Sequence, residues 1–72
     1  MGSALSSVED LAGAQGKFAI FIASLLQRAG VTPMVEFADL LGVFAETVAE
    51  TDPGEAKILK GWAASIRTVG AP

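Results

Sequence analysis

The sequence predicts an all-α fold, an antiparallel three-helix bundle, from its composition, its helix-ending signals and the spacing of its apolar side chains. Hydrophobic residues make up 51% of the 72 residues and charged residues only 18%, a balance that opposes disorder. Turn signals divide the chain into three segments, each with apolar residues at helical spacing. We expect helices near 6–29, 33–50 and 53–69 in a single domain covering residues 1–72, with residues 1–5 and 70–72 frayed.

The first helix is delimited at both ends by local signals. Ser6 is the expected N-cap, and Glu9 three residues later completes a capping box. Gly30 supplies the left-handed residue that ends the helix, and Leu26 and Val31 occupy the two positions whose apolar contact accompanies a Schellman ending. The helix is therefore expected to end at about residue 29.

The second and third helices begin with the same device, a capping residue followed by proline. Thr32 is the expected N-cap of the second helix, with Pro33 at its first helical position. Asp52 and Pro53 repeat the pattern for the third helix, and Glu55 is the capping-box acid. Connections of two or three residues favour antiparallel neighbours.

Helices 2 and 3 each have one apolar side and one polar side when residues are placed at 100° intervals. The predicted core side of helix 2 consists of Met34, Phe37, Leu40, Leu41, Phe44 and Val48. The predicted core side of helix 3 consists of Ile58, Leu59, Trp62, Ala63, Ile66 and Val69. Lys57, Lys60 and Arg67 are expected to face solvent.

Helix 1 is apolar on more than one side, which predicts a partner outside the bundle. Its expected core stripe is Leu11, Phe18, Phe21, Ile22, Leu25 and Ala29. Ile20 lies opposite this stripe, and small residues at four-residue spacing would let another backbone come close. We therefore expect a homodimer in which helix 1 is central, contacting its own chain on one side and the second chain on the other. The alternatives are a different protein partner and a monomer in which Ile20 is a scattered exposed apolar residue, which is normal on surfaces. The expected self-association or partner surface is Ala12, Gly13, Gly16, Ala19, Ile20, Ala23 and Leu26.

The outer side of helix 2 carries acids and no basic residue. It consists of Glu36, Asp39, Val43, Glu46 and Glu50. Such a face is typical of a solvated helix that keeps a protein in solution, and it could alternatively dock a basic partner. Glu46 and Glu50, four residues apart, repel each other by a few tenths of a kcal/mol where no cation is near.

The composition argues against catalysis and against nucleic-acid binding. The chain contains no cysteine and no histidine, so the commonest metal ligands and the usual neutral-pH acid–base group are absent. Its net charge of −3 gives no overall attraction to phosphate. We expect no enzyme activity, no cofactor and no metal. DNA binding through helix 3 is the weakest of the functional alternatives.

The functional hypothesis is a non-catalytic regulatory or adaptor module that binds another protein, for example an antiactivator that covers a partner's interface. The alternative is peripheral membrane binding through helix 1, with Lys17 and Arg28 at its ends, although a cationic face typical of such helices is missing. No apolar stretch reaches the roughly 18–20 residues of a membrane span, and no secretory signal is visible, so we expect a cytoplasmic protein. Residues 1–6 match a loose myristoylation pattern, with Gly2 followed by a serine four residues later, and Met1-Gly2-Ser3 also resembles a cloning remnant.

Overall fold

The protein consists of three helices packed together. The computed structural model describes the backbone of residues 4–71 and the side chains of residues 8–71. Helix α1 spans Ala4–Arg28, α2 spans Met34–Ala49 and α3 spans Pro53–Gly70, and no strand occurs among the described residues. The all-helical prediction is confirmed, and the bounds lie within two residues of those predicted. Residues 1–3, which begin the lipidation pattern, and residue 72 lie outside the described part.

The C-terminus of α1 is the Schellman ending that the sequence predicts. Gly30 has a positive φ of 75°, which a residue without Cβ adopts at little cost. The Val31 N–H donates to the Leu26 carbonyl at 2.9 Å, and the Gly30 N–H donates to the Gln27 carbonyl at 3.0 Å. At the other end, α1 begins at Ala4, before the predicted N-cap Ser6, whose side chain lies outside the described residues.

The start of α2 differs from its prediction. Pro33, expected at the first helical position, is itself the N-cap, with extended φ and ψ of −63° and 149° and no capping side chain of its own. Thr32 therefore does not cap α2. Instead the Met34 N–H donates to Gln27 Oε1 at 2.7 Å. One of the unpaired N–H groups that every helix start leaves is thus satisfied by the last turn of the preceding helix.

The start of α3 confirms the predicted cap at Asp52. Its carboxylate accepts the Glu55 N–H at 3.1 Å, with Pro53 at the start of the helix. The Asp52 N–H donates to the Val48 carbonyl, so Glu55 does not complete a reciprocal capping box. The hydrogen bond from the Glu55 N–H stabilises the ionised Asp52 carboxylate, and it therefore lowers the pKa of that carboxyl. A hydrogen bond between the two side chains, together with the negative charge of Asp52, raises the pKa of the Glu55 carboxyl.

Helices α2 and α3 share the most extensive contact in the chain, and small residues line it. Ala38 and Ala45 of α2 are buried, as are Ala56 and Ala63 of α3. Gly70 follows Ala63 at the same seven-residue interval and lies against Met34, where a Cβ would come within 2.5 Å of the Met34 Cβ. Small side chains at a helical contact let the two backbones approach closely.

The predicted core sides of α2 and α3 are therefore partly wrong. Met34, Ala63 and Ile66 are buried as expected, and a further group is half-buried: Phe37, Leu41, Val48, Leu59 and Trp62. The residues expected in the core but found exposed are Leu40, Phe44, Ile58 and Val69. The close contact is made by the alanine side of each helix, which rotates these larger side chains toward the edge of the helix pair.

The chain has little interior for its size. Ile66 is the largest fully buried side chain among the described residues. The accessible surface is 5185 Å², whereas a compact protein of 7.4 kDa is expected to expose about 4,200 Å². The radius of gyration of 13.4 Å also exceeds the roughly 11 Å expected for a compact chain of this length. The helices thus form an open arrangement of 41 × 31 × 17 Å.

Two glycines of α3 provide a matched test of the close contact. We expect Gly70→Ala to lower the free energy of unfolding by about 1–3 kcal/mol, because its Cβ would meet the Met34 Cβ in a packed position. We expect Gly61→Ala to raise it by up to about 1 kcal/mol, because the added Cβ would meet no atom within 4 Å outside its own stretch of helix backbone and alanine favours a helix interior. Urea unfolding of both variants measures the difference, and equal effects would contradict the close approach at Gly70.

The contribution of the Gln27 cap can be measured by removing and then restoring its oxygen. We expect Gln27→Ala to lower the free energy of unfolding by about 1 kcal/mol, because the Met34 N–H loses its acceptor. Gln27→Glu is the control, since a carboxylate accepts the same bond and favours a helix N-terminus. Thermal unfolding of the three proteins gives the comparison. A Glu variant as unstable as the Ala variant would contradict this capping role.

Candidate interaction surface

Helix α1 presents a row of large apolar side chains to solvent. We call this row the outer stripe and define it as Val8, Leu11, Phe18, Phe21 and Leu25. Leu11, Phe18 and Phe21 are 59%, 62% and 56% exposed, and Leu25 is 44% exposed. Ala29 is exposed as well. Of the six residues predicted as the core stripe of helix 1, only Ile22 is half-buried, so the prediction is wrong for Leu11, Phe18, Phe21, Leu25 and Ala29.

The opposite side of α1 packs against the other two helices. Ala23 is fully buried and forms a cluster with Met34, Ala38 and Ile66, and Ala19 and Ile20 pack against that cluster. Of the residues predicted as a self-association surface, Gly16 and Leu26 are also half-buried, whereas Ala12 and Gly13 are exposed. The small-residue side of α1 thus receives its close neighbour from within the chain. Its predicted role between chains stays a prediction.

Trp62 of α3 stands beside Gly16 of α1 and forms part of three shallow grooves. A Cβ at Gly16 would lie 3.1 Å from Trp62 Nε1, so α1 passes close to the indole. The largest of these grooves has a volume of about 550 Å³ and is lined by Ala14, Gln15, Phe18, Ala19 and Trp62. A second groove, of about 250 Å³, adds Ile58 and Leu59. The gap between the N-terminal half of α1 and α3 is therefore apolar and open.

The predicted acidic face of helix 2 is partly matched by cations of α3. Asp39 forms an ion pair with Arg67 at 2.5 Å, with both side chains at least half exposed. Asp39, Val43 and Glu46 line one shallow groove together with Lys60 and Arg67. Glu36 and Glu50 are exposed outside that groove. An exposed ion pair of this kind contributes about 0–1 kcal/mol to stability. The groove carries charges of both signs, and the role of the acidic face in docking a basic partner stays a prediction.

Other kinds of site are not formed by the described residues. No three acidic side chains within residues 8–71 come together as a possible metal site. Every side-chain nitrogen or oxygen buried within that range has a hydrogen-bond partner. None of the helices between residues 4 and 71 combines the length and apolar character needed to cross a bilayer.

The outer stripe has a recognisable spacing in the sequence. Leu11, Phe18 and Leu25 are seven residues apart, and Phe21 follows Phe18 at an interval of three. This spacing is that of the a and d positions of a heptad, the pattern of a helix that packs along another helix. Periodicity alone gives two apolar sides for α1 and does not say which one faces the chain's own helices.

Comparison of the chain with known protein families, with curated proteins and with solved structures gives no match.

Two glycines of α1 test the position of Trp62, the only tryptophan in the chain. We expect Gly16→Ala to shift the fluorescence emission of Trp62, because the added Cβ would crowd the indole at 3.1 and 3.3 Å. Gly13→Ala is the control, since its Cβ has no neighbour within 4 Å, and we expect unchanged emission and about 1 kcal/mol of added stability. An unchanged spectrum for Gly16→Ala would contradict this packing of α1 on α3.

Proposed function

We propose that this protein is a non-catalytic, helical protein–protein interaction module of a regulatory or adaptor type that forms a homodimer. The observation that carries the proposal is the distribution of its apolar side chains. Among the described residues, five of the seven buried apolar residues are alanine, and Met34 and Ile66 are the other two. Eleven large apolar side chains of the same part of the chain are exposed.

This distribution is the reverse of that in a self-sufficient small domain. Burying a large apolar side chain fully is worth about 1.5–3 kcal/mol, and a chain of this size has few such contributions to use. Here eleven large apolar side chains of the described residues remain exposed in the single chain, and only Met34 and Ile66 are buried. Small domains commonly meet this deficit by oligomerising, and a contiguous apolar surface on a monomer is typical of an interaction site.

We propose an antiparallel bundle within each chain and a central position for α1 in the dimer. The antiparallel arrangement is supported by two contacts: Met34 at the start of α2 lies against Gly70 at the end of α3, and Asp39 pairs with Arg67. The central position of α1 is supported by its two apolar sides, of which one contacts α2 and α3 and the other is exposed.

A non-catalytic role is supported by the placement of the ionisable groups. The acids of α2 are exposed, and Asp39 and Glu46 share a shallow groove with cations of α3. General acid–base catalysis needs a shaped pocket that excludes water, and exposed carboxylates on a helix surface lack one. Asp52 and Glu55 do have shifted pKa values, but they shift each other at a helix cap. These groups therefore have structural explanations that require no substrate.

The proposed regulatory mode is competition for one surface. If the exposed apolar side of α1 joins two copies, a different protein that offers a similar helical surface would displace one of them. The module would then cover part of that protein, as an antiactivator does. We propose a cytoplasmic location, where such a target would be met. A membrane surface is the competing occupant, since exposed phenylalanines also suit the boundary between lipid and water.

The solution mass tests the proposal. By light scattering on a size-exclusion column, we expect a particle of twice 7.4 kDa at micromolar concentration, because the monomer leaves its large apolar side chains in water. Dilution should lower both the mass and the midpoint of thermal unfolding together. A monomer at high concentration would contradict the homodimer. Co-sedimentation of such a monomer with anionic vesicles would favour the membrane instead.

A further inference from the structure

The outer stripe of α1 has the dimensions and spacing of one half of a helix–helix seam. From Val8 to Leu25 it extends about 26 Å at 1.5 Å per residue. Leu11, Phe18 and Leu25 occupy one heptad position, and Ala14 and Phe21 occupy the position three residues later. Val8 lies three residues before Leu11, outside these two positions. From Leu11 to Leu25 the large side chains of the stripe keep to them, as in the narrow seam of a coiled coil. The large side chains of the stripe are the exposed ones on α1.

The chain's own helices leave this stripe free because they use the other side of α1. Ala19, Ile20 and Ala23 meet the core cluster of Met34, Ala38 and Ile66. The two sides of α1 thus have different designs. The inner side has small residues that admit a close neighbour, and the outer stripe has large ones that would interlock with a similar helix.

The outer stripe of a second copy is a suitable partner for the outer stripe of the first. Between Leu11 and Leu25 the two heptad positions contain no charged residue, so the stripe does not demand a partner of opposite charge. Two copies related by a two-fold axis place the same patch against itself. The knobs and holes of a heptad seam are then supplied by both copies.

The chain exposes more accessible area than a compact protein of its mass, and the excess is close to the area that one copy loses in a standard interface. The accessible area of 5185 Å² exceeds that of a compact protein of the same mass by roughly 1,000 Å². A standard protein–protein interface removes about 800 Å² from each partner. The outer stripe and the apolar groove beside Phe18 and Trp62 are continuous and provide surface of this kind.

We propose that the outer stripe of α1 packs against the outer stripe of a second copy, and that this contact is the seam of the homodimer. The inference rests on the proposed function and deepens it, because it moves the seam from the small-residue side around Ile20 to the side of Phe18. In the dimer the groove between Phe18 and Trp62 lies at the edge of the seam, so the second copy shields Trp62 from water.

Single cysteines test the position of the seam directly, because the chain contains none. We expect Phe18→Cys to form a disulfide-linked dimer under mild oxidation. Ile20→Cys, two residues away on the inner side, and Val43→Cys, on the exposed groove of α2, should remain unlinked. Leu11→Cys and Leu25→Cys extend the scan: linking at both indicates parallel helices, and linking near the middle of the stripe alone indicates antiparallel helices. Linking at Ile20→Cys with none on the outer stripe would overturn the inference.

Charge substitutions provide the second readout. We expect Phe18→Lys to raise the dimer dissociation constant at least about 100-fold, because each substitution affects both copies of a central aromatic residue. Val43→Lys is the matched control, since Val43 is 63% exposed, and we expect a change below about threefold. Circular dichroism of each variant separates dissociation from unfolding. If the Phe18→Lys chain unfolds when the dimer dissociates, disulfide linking of the cysteine variants decides the position of the seam.

The outcomes distinguish this inference from the proposed function. A wild-type dimer that Phe18→Lys leaves intact would overturn the seam and keep the homodimer. A wild-type monomer would overturn both. Emission of Trp62 that shifts to longer wavelength on dilution, in step with the mass, would support the seam because the second copy then shields the indole. Emission that stays constant while the dimer dissociates would overturn the placement beside Trp62.

Discussion

The close approach of α2 and α3 is the constraint on which the rest of this structure depends. Ala38 and Ala45 on one helix, and Ala56 and Ala63 on the other, repeat at seven-residue intervals and are buried together. Gly70 continues the second series, and a Cβ at this position would lie only 3.6 Å from the Met34 Cα. Because methyl groups fill this contact, each helix must turn its larger apolar side chains away from it.

That rotation determines what α1 can bury and what it must leave in water. Ala23 of α1 forms one buried cluster with Met34, Ala38 and Ile66. The half-buried residues that pack against this cluster are Ala19, Ile20, Phe37 and Leu41. A small-residue side of α1 is the one that fits, because Trp62 already stands against Gly16 and leaves little space. The large side chains of the outer stripe are consequently on the far side. The openness of the molecule and the alanine-rich core therefore have the same origin.

The sequence predicted those features that depend on local chemistry. Gly30 ends α1 because only a residue without Cβ takes that φ easily, and Asp52 begins α3 because its carboxylate reaches a nearby N–H. The cap of α2 was missed because Gln27 is seven residues from Met34, and no short motif relates them. The orientation of α1 was missed because helical periodicity identifies apolar sides but not their neighbours. Choosing between a large and a small apolar side requires the backbone separation, which exists only in the folded chain.

An alanine-rich interior has a consequence for how such a protein would be regulated. Alanine loses little side-chain entropy on burial but removes little apolar area from water, so the contact between α2 and α3 specifies geometry more than it supplies free energy. On the proposed seam, the larger contribution comes from side chains that the two copies bury in each other. Folding and association then share one source of stability, and the population of folded chains depends on protein concentration. A competing protein that offers a helix with the same heptad pattern would bury the same apolar side chains and would stabilise the folded chain in the same way. It would be favoured over the second copy only to the extent that it fills the groove beside Trp62 better than an identical chain does, because an equal fit produces no preference.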